Sequence, residues 1–125
     1  MTRILIVDDE PSIRASLRLM LQDDYDIIES ADGRNAVETV KKEAVDLVLL
    51  DIRLPEIDGL QVLEQIRDID DSLNVIILTA DRTVSTAVGA MKRGAFDYIT
   101  KPFEVEELES VVVKALENRR LITEN

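Results

Sequence analysis

Two hydrophobic periods alternate along the chain. Unbroken apolar runs occur at Ile4 to Val7, Ile27 to Ile28, Leu47 to Leu50, Val75 to Leu78 and around Phe96 to Ile99. Apolar side chains on consecutive positions suit strands covered on both faces. Between them lie stripes at helical spacing: Ile13, Leu17, Met20 and Leu21; Ala36, Val37 and Val40; Leu60, Leu63 and Ile66; Val84, Ala87, Val88 and Met91; Val105, Leu108, Val112, Ala115 and Leu116. Each stripe is a helix face that must be buried. The punctuation agrees. Pro11 suits the first turn of the first helix, Asp32 can cap the second, Asp58-Gly59 opens the third, and Gly94 follows Lys92-Arg93 as a C-terminal cap should. Five strands alternating with five helices predict an α/β fold, a doubly wound five-stranded parallel sheet with helices on both faces.

The pattern runs without repeat, low-complexity tract or internal linker through 125 residues, near the commonest domain size. A chain 46% hydrophobic and 33% charged is globular, not disordered. No apolar stretch reaches membrane-spanning length, and Met1-Thr2-Arg3 leads directly into the first strand with no signal peptide. The expected location is therefore cytoplasmic, with no membrane partner. The stretch from Glu117 to Asn125 is polar and carries no cap, and it reads as a helix without its own terminus.

Charge and composition then remove whole classes of function. A net charge of −11 opposes direct nucleic-acid binding, because the chain would add repulsion to a phosphate backbone rather than release its counterions. With no cysteine and no histidine there is no disulfide, no thiolate or Ser-His catalysis, and no nitrogen or sulfur ligand for zinc. Carboxylates, hydroxyls and amines remain.

Open parallel sheets bind ligands beyond the carboxyl ends of their strands, where the strand order reverses. The residues at those ends are Asp8, Asp9 and Glu10 after the first strand, Asp51 after the third, Thr79 after the fourth, and Thr100, Lys101 and Pro102 after the fifth. Each has a bland reading, since Asp9 or Glu10 can begin a helix, Asp and Thr are common in loops, and most lysines are merely solvated. Together they form an acid cluster with a hydroxyl and an amine facing it. Two carboxylates about 4 Å apart repel by roughly 4 kcal/mol at an effective dielectric near 20, so converging acids call for a cation. Oxygen-only donors select a hard ion, and a partly open site favours Mg²⁺ over a Ca²⁺ cage. An ion beside a carboxylate, opposite an amine and a hydroxyl, makes a place to hold a phosphoryl group.

Four blocks in order, Ile4-Leu5-Ile6-Val7-Asp8-Asp9-Glu10, Leu49-Leu50-Asp51 with Leu54-Pro55-Glu56-Ile57-Asp58-Gly59, Leu78-Thr79-Ala80, and Gly94 to Phe103, carry a resemblance across essentially the whole chain. The sequence resembles the receiver domains of bacterial two-component response regulators. The resemblance implies a flavodoxin-like sheet of strand order 2-1-3-4-5, with Asp51 as phosphoacceptor for a sensor histidine kinase. It implies that Asp9 and Asp51 ligate Mg²⁺ directly, that Asp8 acts mainly through water, and that the backbone carbonyl of Arg53 completes the set. Lys101 would pair with the acyl phosphate, and its bond to Pro102 would be cis. Thr79 would bond a phosphoryl oxygen, and Tyr98 would turn inward as it does.

Two features depart from that family's pattern. Glu104 after Phe103 is a weaker helix cap than Asp, Asn or Ser, partly offset by Glu106 and Glu107 at the positive end of the helix dipole. Arg53 and Asp81, two residues beyond Asp51 and Thr79, either pair over the site or are solvated loop charges. Competing classes fit less well. A dehalogenase-type hydrolase needs a second Asp where Arg53 stands; a flavin carrier needs a hydroxyl- and glycine-rich loop and aromatic walls, against 3% aromatics here; a P-loop nucleotidase needs Gly-Lys-Ser/Thr, which is absent. A receiver that works without phosphorylation would typically have lost a site residue, and none is lost.

The expectation is a receiver domain over residues 1–118, with residues 119–125 starting a linker or helix extension toward an output domain, transcriptional in kind. It is a signalling switch that catalyses only its own phosphorylation and slow dephosphorylation, not a turnover enzyme. The surface of the fourth helix, fifth strand and fifth helix would carry the signal, with a phosphorylation-dependent homodimer as one assembly. The alternative is a stand-alone receiver acting in a phosphorelay or by binding a partner.

Overall fold

The computed structural model of the chain describes residues 1–80 and 84–124. Its elements are β1 (Arg3–Val7), α1 (Pro11–Leu21), β2 (Asp26–Ser30), α2 (Gly33–Lys42), β3 (Leu47–Asp51), α3 (Gly59–Ile69), β4 (Asn74–Thr79), α4 (Val84–Lys92), β5 (Asp97–Thr100) and α5 (Val105–Glu124). The strands are all parallel, in the order β2-β1-β3-β4-β5. The sheet therefore reverses direction of growth between β1 and β3, whose register pairs Ile4 with Leu47 and Val7 with Leu50.

Alternation along the central strands divides the core in two, because successive side chains point to opposite faces. Leu5, Val7, Val48, Leu50, Val75 and Ile77 pack with Ala36, Val40, Val62, Leu63, Ile66 and Ala90, which places α2, α3 and α4 on one face. Ile4, Ile6, Leu47, Leu49, Ile76 and Leu78 pack with Leu17, Leu21, Leu108, Val112 and Ala115, which places α1 and α5 on the other. Only the three central strands are covered on both faces. The edge strands β2 and β5 are partly open, and Tyr98 is 39% exposed.

The caps form where the residue types require them. Pro11 opens α1. The Asp32 carboxylate accepts from the Asn35 amide at 2.7 Å, and that of Asp58 from the Leu60 amide at 3.0 Å. Gly94, at φ +98°, ends α4 in a Schellman turn, its N–H donating to the Met91 carbonyl and that of Ala95 to the Ala90 carbonyl, both at 3.1 Å.

Two expectations change. Of the stripe assigned to α4, Val88 and Met91 do not face the core, being 44% and 45% exposed, and it is Ala90 that is fully buried. Val105 at the start of α5 is also exposed. The helix α5 continues through residue 118 to Glu124, and Arg119 donates to the Val45 carbonyl at 2.8 Å and pairs with Asp70. Among the described residues, no helix is long and apolar enough to cross a membrane.

Candidate functional site

The carboxyl ends of β1, β3, β4 and β5 converge at the reversal in strand order. Register sets their depth: Asp51 lies opposite Leu78, and Thr79 opposite Thr100. Burial of the strand ends makes Asp8, Asp51 and Thr79 three of the few buried polar side chains among the described residues. Asp9, Glu10 and Arg53, one step further along each loop, are exposed.

Lys101 closes the site. Its Nζ donates to Asp8 Oδ2 at 2.9 Å and to Asp51 Oδ2 at 3.4 Å, bridging strand ends far apart in sequence. Its own N–H donates to the Thr79 carbonyl at 2.7 Å, which ties the end of β5 to that of β4, and the Lys101-Pro102 bond is cis, as the resemblance implied. Burial works to lower the pKa of the ammonium, but the hydrogen bond it donates to Asp8 and the charges of Asp51 and Asp8 outweigh it and hold the pKa above its ordinary value. Asp51 moves upward. Burial is the main cause, and the charge of Asp8 adds to it, against the opposing pull of the Arg53 N–H, which donates to Asp51 Oδ1 at 3.0 Å, and of Lys101.

The loop after Asp51 is held tightly. Glu56 sits at φ +69° while the Ile57 N–H donates to the Pro55 carbonyl at 2.8 Å, a three-residue turn rarely adopted by side chains larger than glycine. Gly59 then brings α3 against the end of β3: a Cβ there would lie 2.6 Å from Ile52 Cα and 2.7 Å from the Asp51 carbonyl. Glycine is the one residue that allows this approach.

The acids suit a hard cation. Carboxylate oxygens of Asp8, Asp9 and Glu10 lie within 4.8 Å of one another, and oxygen donors alone are the ligand set that Mg²⁺ takes. Asp51 joins this cluster through Lys101. Glu10, which the sequence offers equally as a helix start, is both the N-terminal neighbour of α1 and a member of the cluster, and its side chain makes no capping bond. The structure thus gathers Asp8, Asp9, Asp51 and Lys101, puts Arg53 beside Asp51 and Thr79 at the adjoining strand end, and leaves Tyr98 pointing outward. Asp81, the proposed partner of Arg53, lies outside the described residues.

One participant is not foreseen from sequence. Arg14 of α1 donates through Nη1 to the Asp8 carbonyl at 2.6 Å and through Nε to Glu29 at 3.2 Å. Its signal is faint: it is an arginine bordering the buried stripe of α1, beside Ile13, at the site end of the helix.

Comparison with known proteins gives one answer. The family model of the response regulator receiver domain matches residues 4–113. The chain is 42% identical over 107 residues to the response regulator MprA of Mycolicibacterium vanbaalenii, covering 85% of this chain and 46% of that protein. It is 40% identical over 114 residues to the transcriptional regulatory protein ZraR of Escherichia coli K12, covering 90% of this chain and 26% of that one. The chain therefore spans about half the length of these relatives or less. The crystal structure of NtrX from Brucella abortus superposes with a TM-score of 0.92 at 36% identity, over 99% of this chain and 29% of that one. An acid cluster and a lysine at the switch point of a β2-β1-β3-β4-β5 sheet agree with this match along nearly its full length, and the chain belongs to the response regulator receiver domain family.

Proposed function

We propose that this receiver domain takes a phosphoryl group from a sensor histidine kinase onto Asp51 and releases it slowly by hydrolysis, acting as a switch and not as a turnover enzyme. The observation that carries the reading is the bridge of Lys101 between Asp8 and Asp51. It puts a buried nucleophile, a cation and an acid cluster in one place at the strand ends.

In the transfer, an Asp51 carboxylate oxygen attacks phosphorus in line. The new P–O bond forms as the P–N bond of the phosphohistidine breaks, and the imidazole nitrogen leaves with the electron pair and takes a proton from water. Asp51 is ready for this role because the Arg53 N–H holds Oδ1 while Oδ2 faces the Lys101 ammonium at 3.4 Å. Lys101 follows the developing negative charge from the carboxylate to the phosphoryl oxygens. The Thr79 hydroxyl, at the end of the neighbouring strand, binds another of them. Asp8, Asp9, Asp51 and the Arg53 carbonyl would hold Mg²⁺, which when bound neutralises phosphoryl oxygens and relieves the repulsion among the acids. In the separate hydrolytic step a water oxygen attacks phosphorus as the P–O bond to Asp51 breaks, restoring the Asp51 carboxylate and releasing inorganic phosphate.

The readout would run from Thr79 to the α4-β5-α5 face, with Tyr98 turning inward. ZraR is named a transcriptional regulatory protein and is much longer than this chain. By that analogy the receiver, residues 1–118, controls a transcriptional output domain in its natural chain, reached through the continuation of α5 from residue 119. A homodimer formed on phosphorylation is one way to do so, and this acidic domain leaves DNA to its output partner.

Treated with acetyl phosphate and Mg²⁺, the chain should gain a single acid-stable, base-labile acyl phosphate, and Asp51→Asn should gain none there. Peptide mapping that placed the phosphate on Thr79 or Ser85 would overturn the reading.

A further inference from the structure

Four atoms of Asp8 can be held, and all four are. Its N–H donates to the Ser30 carbonyl at 3.1 Å, Oδ1 accepts from the Glu10 amide at 2.9 Å, and Oδ2 accepts from Lys101. The fourth, the backbone carbonyl, accepts from Arg14 Nη1 at 2.6 Å, a short charge-assisted bond. Arg14 is itself held. Its side chain is only 17% exposed, its Nε donates to Glu29 Oε1, and Glu29 Oε2 accepts from Arg18 Nε at 2.7 Å. Two arginines of α1 thus grip one carboxylate of β2, and the first reaches on to the loop between β1 and α1.

The consequence falls on Asp9. The Asp8 carbonyl and the Asp9 N–H belong to one planar peptide unit, so fixing the oxygen fixes the plane from which Asp9 departs. No hydrogen bond among the described residues holds the Asp9 carboxylate, which is exposed. Its aim into the cluster with Asp8 and Glu10 is inherited from its backbone.

We propose that Arg14 is a positioning residue for the acid site: it fixes the peptide between Asp8 and Asp9, with Glu29 as its anchor, so that Asp9 is aimed for a divalent cation. This rests on the receiver reading of the cluster as a Mg²⁺ site. Charge alone makes the opposite demand. A guanidinium beside a cation site repels the cation, so its removal on Coulombic grounds would tighten binding. Positioning requires that removal weaken it, as loss of groups supporting metal ligands does.

The test is calorimetric titration of Mg²⁺ into metal-free wild type, Arg14→Ala, Arg14→Lys and Glu29→Gln, each well below its melting temperature. Amide exchange of Asp9 and Glu10 is followed in the same metal-free samples. Arg14→Ala should bind Mg²⁺ about tenfold more weakly, with faster exchange at the Asp9 amide. Arg14→Lys, which keeps a cationic donor, should recover part of the loss, and Glu29→Gln should show a smaller loss with Arg14 intact. These two variants decide the matter if Arg14→Ala does not fold. Binding by Arg14→Ala as tight as wild type or tighter, or Lys no better than Ala, overturns the proposal while leaving the receiver reading in place. A wild type that binds no Mg²⁺ overturns the metal reading instead, and unchanged Asp9 exchange in Arg14→Ala would then overturn the positioning role as well.

Discussion

Ionising Asp51 costs the folded protein stability, because the end of β3 is buried and the Asp8 charge lies close by. Its pKa is raised, above all by burial, so the folded protein binds this proton more tightly than the unfolded chain does. The stabilisation from that proton is fully present below the ordinary value of 3.8 and is lost as pH rises through the raised folded value. Asp51→Asn removes the charge without removing the shape. Lys101 keeps its shorter bond, the one to Asp8. Without divalent metal, Asp51→Asn should therefore melt above wild type near neutral pH, and the gap should narrow as pH falls through the titration of Asp51. Thermal unfolding followed by circular dichroism across that range checks it, and a lower melting temperature for the variant at every pH would show that the Lys101 pairing outweighs desolvation. Added Mg²⁺ should raise the wild-type melting temperature by linkage, more than it raises that of the variant.

Among the elements, α4 departs most from its amphipathic description. Its apolar positions, Val84, Ala87, Val88, Ala90 and Met91, span about half of the helix circumference, so hydrophobic period alone leaves open which part of that arc is buried. The sheet chooses by size: small Ala90 permits close approach, and the larger Val88 and Met91 are left outside. Gly89 sits in its interior, where a Cβ would meet Arg93 Nη1 at 3.2 Å, the end of a side chain that pairs with Glu64 and donates to the Gly89 carbonyl. No other contact among the described residues calls for glycine there, so it weakens the helix by about 1 kcal/mol relative to Ala. Gly89→Ala should stabilise the domain by about 0.5–1 kcal/mol in urea unfolding and slow amide exchange within α4. Gly94→Ala should do the reverse, because its φ of +98° is costly for any side chain. Equal and opposite effects at the interior and the end of one helix would separate propensity from packing, and a destabilising Gly89→Ala would refute this account of α4.

Across the whole molecule, the two ends of the sheet differ in how firmly they are tied. At the end away from the site, Asn74 Nδ2 donates to the Ala115 carbonyl and to Asn118 Oδ1, both at 2.9 Å, and Arg119 reaches Val45 and Asp70. The Asp70 carboxyl, although burial pushes it up, is held below its usual value by hydrogen bonds from Ser72 and the charge of Arg119. These bonds fasten α5 to the start of β4. At the site end, α4 carries Gly89 in its interior, and Val88, Met91, Tyr98 and Val105 are exposed. A displacement of Thr79 should therefore spread into α4 and β5 and not along the sheet to its far end. Beryllofluoride with Mg²⁺, mimicking the phosphoryl group, should change amide exchange mainly between Thr79 and Pro102 and leave α1 and α2 little altered. Changes confined to the loops at Asp9 and Asp51 would sink this route for the signal while leaving the chemistry at Asp51 intact.

The local chemistry of the chain was enough to determine the order of elements and most of their faces. Consecutive apolar residues, helical stripes and the caps at Asp32, Asp58 and Gly94 are short-range properties, and each forms as its residue types require. The candidate site was legible for a related reason. In a parallel sheet every strand ends at the same edge, so Asp8, Asp51, Thr79 and Lys101 could be listed from strand ends, and four blocks in order carried the family. What no local pattern holds is the choice between equivalent surfaces and the reach of a long side chain across elements. Only the packed sheet decided that α4 turns Ala90 inward, that Arg119 of α5 reaches back to Val45 and Asp70, and that Arg14 spans from α1 to the Asp8 carbonyl. These outcomes depend on close approach in three dimensions, where the volume of one side chain or the position of one carbonyl outweighs the average polarity of a helix face.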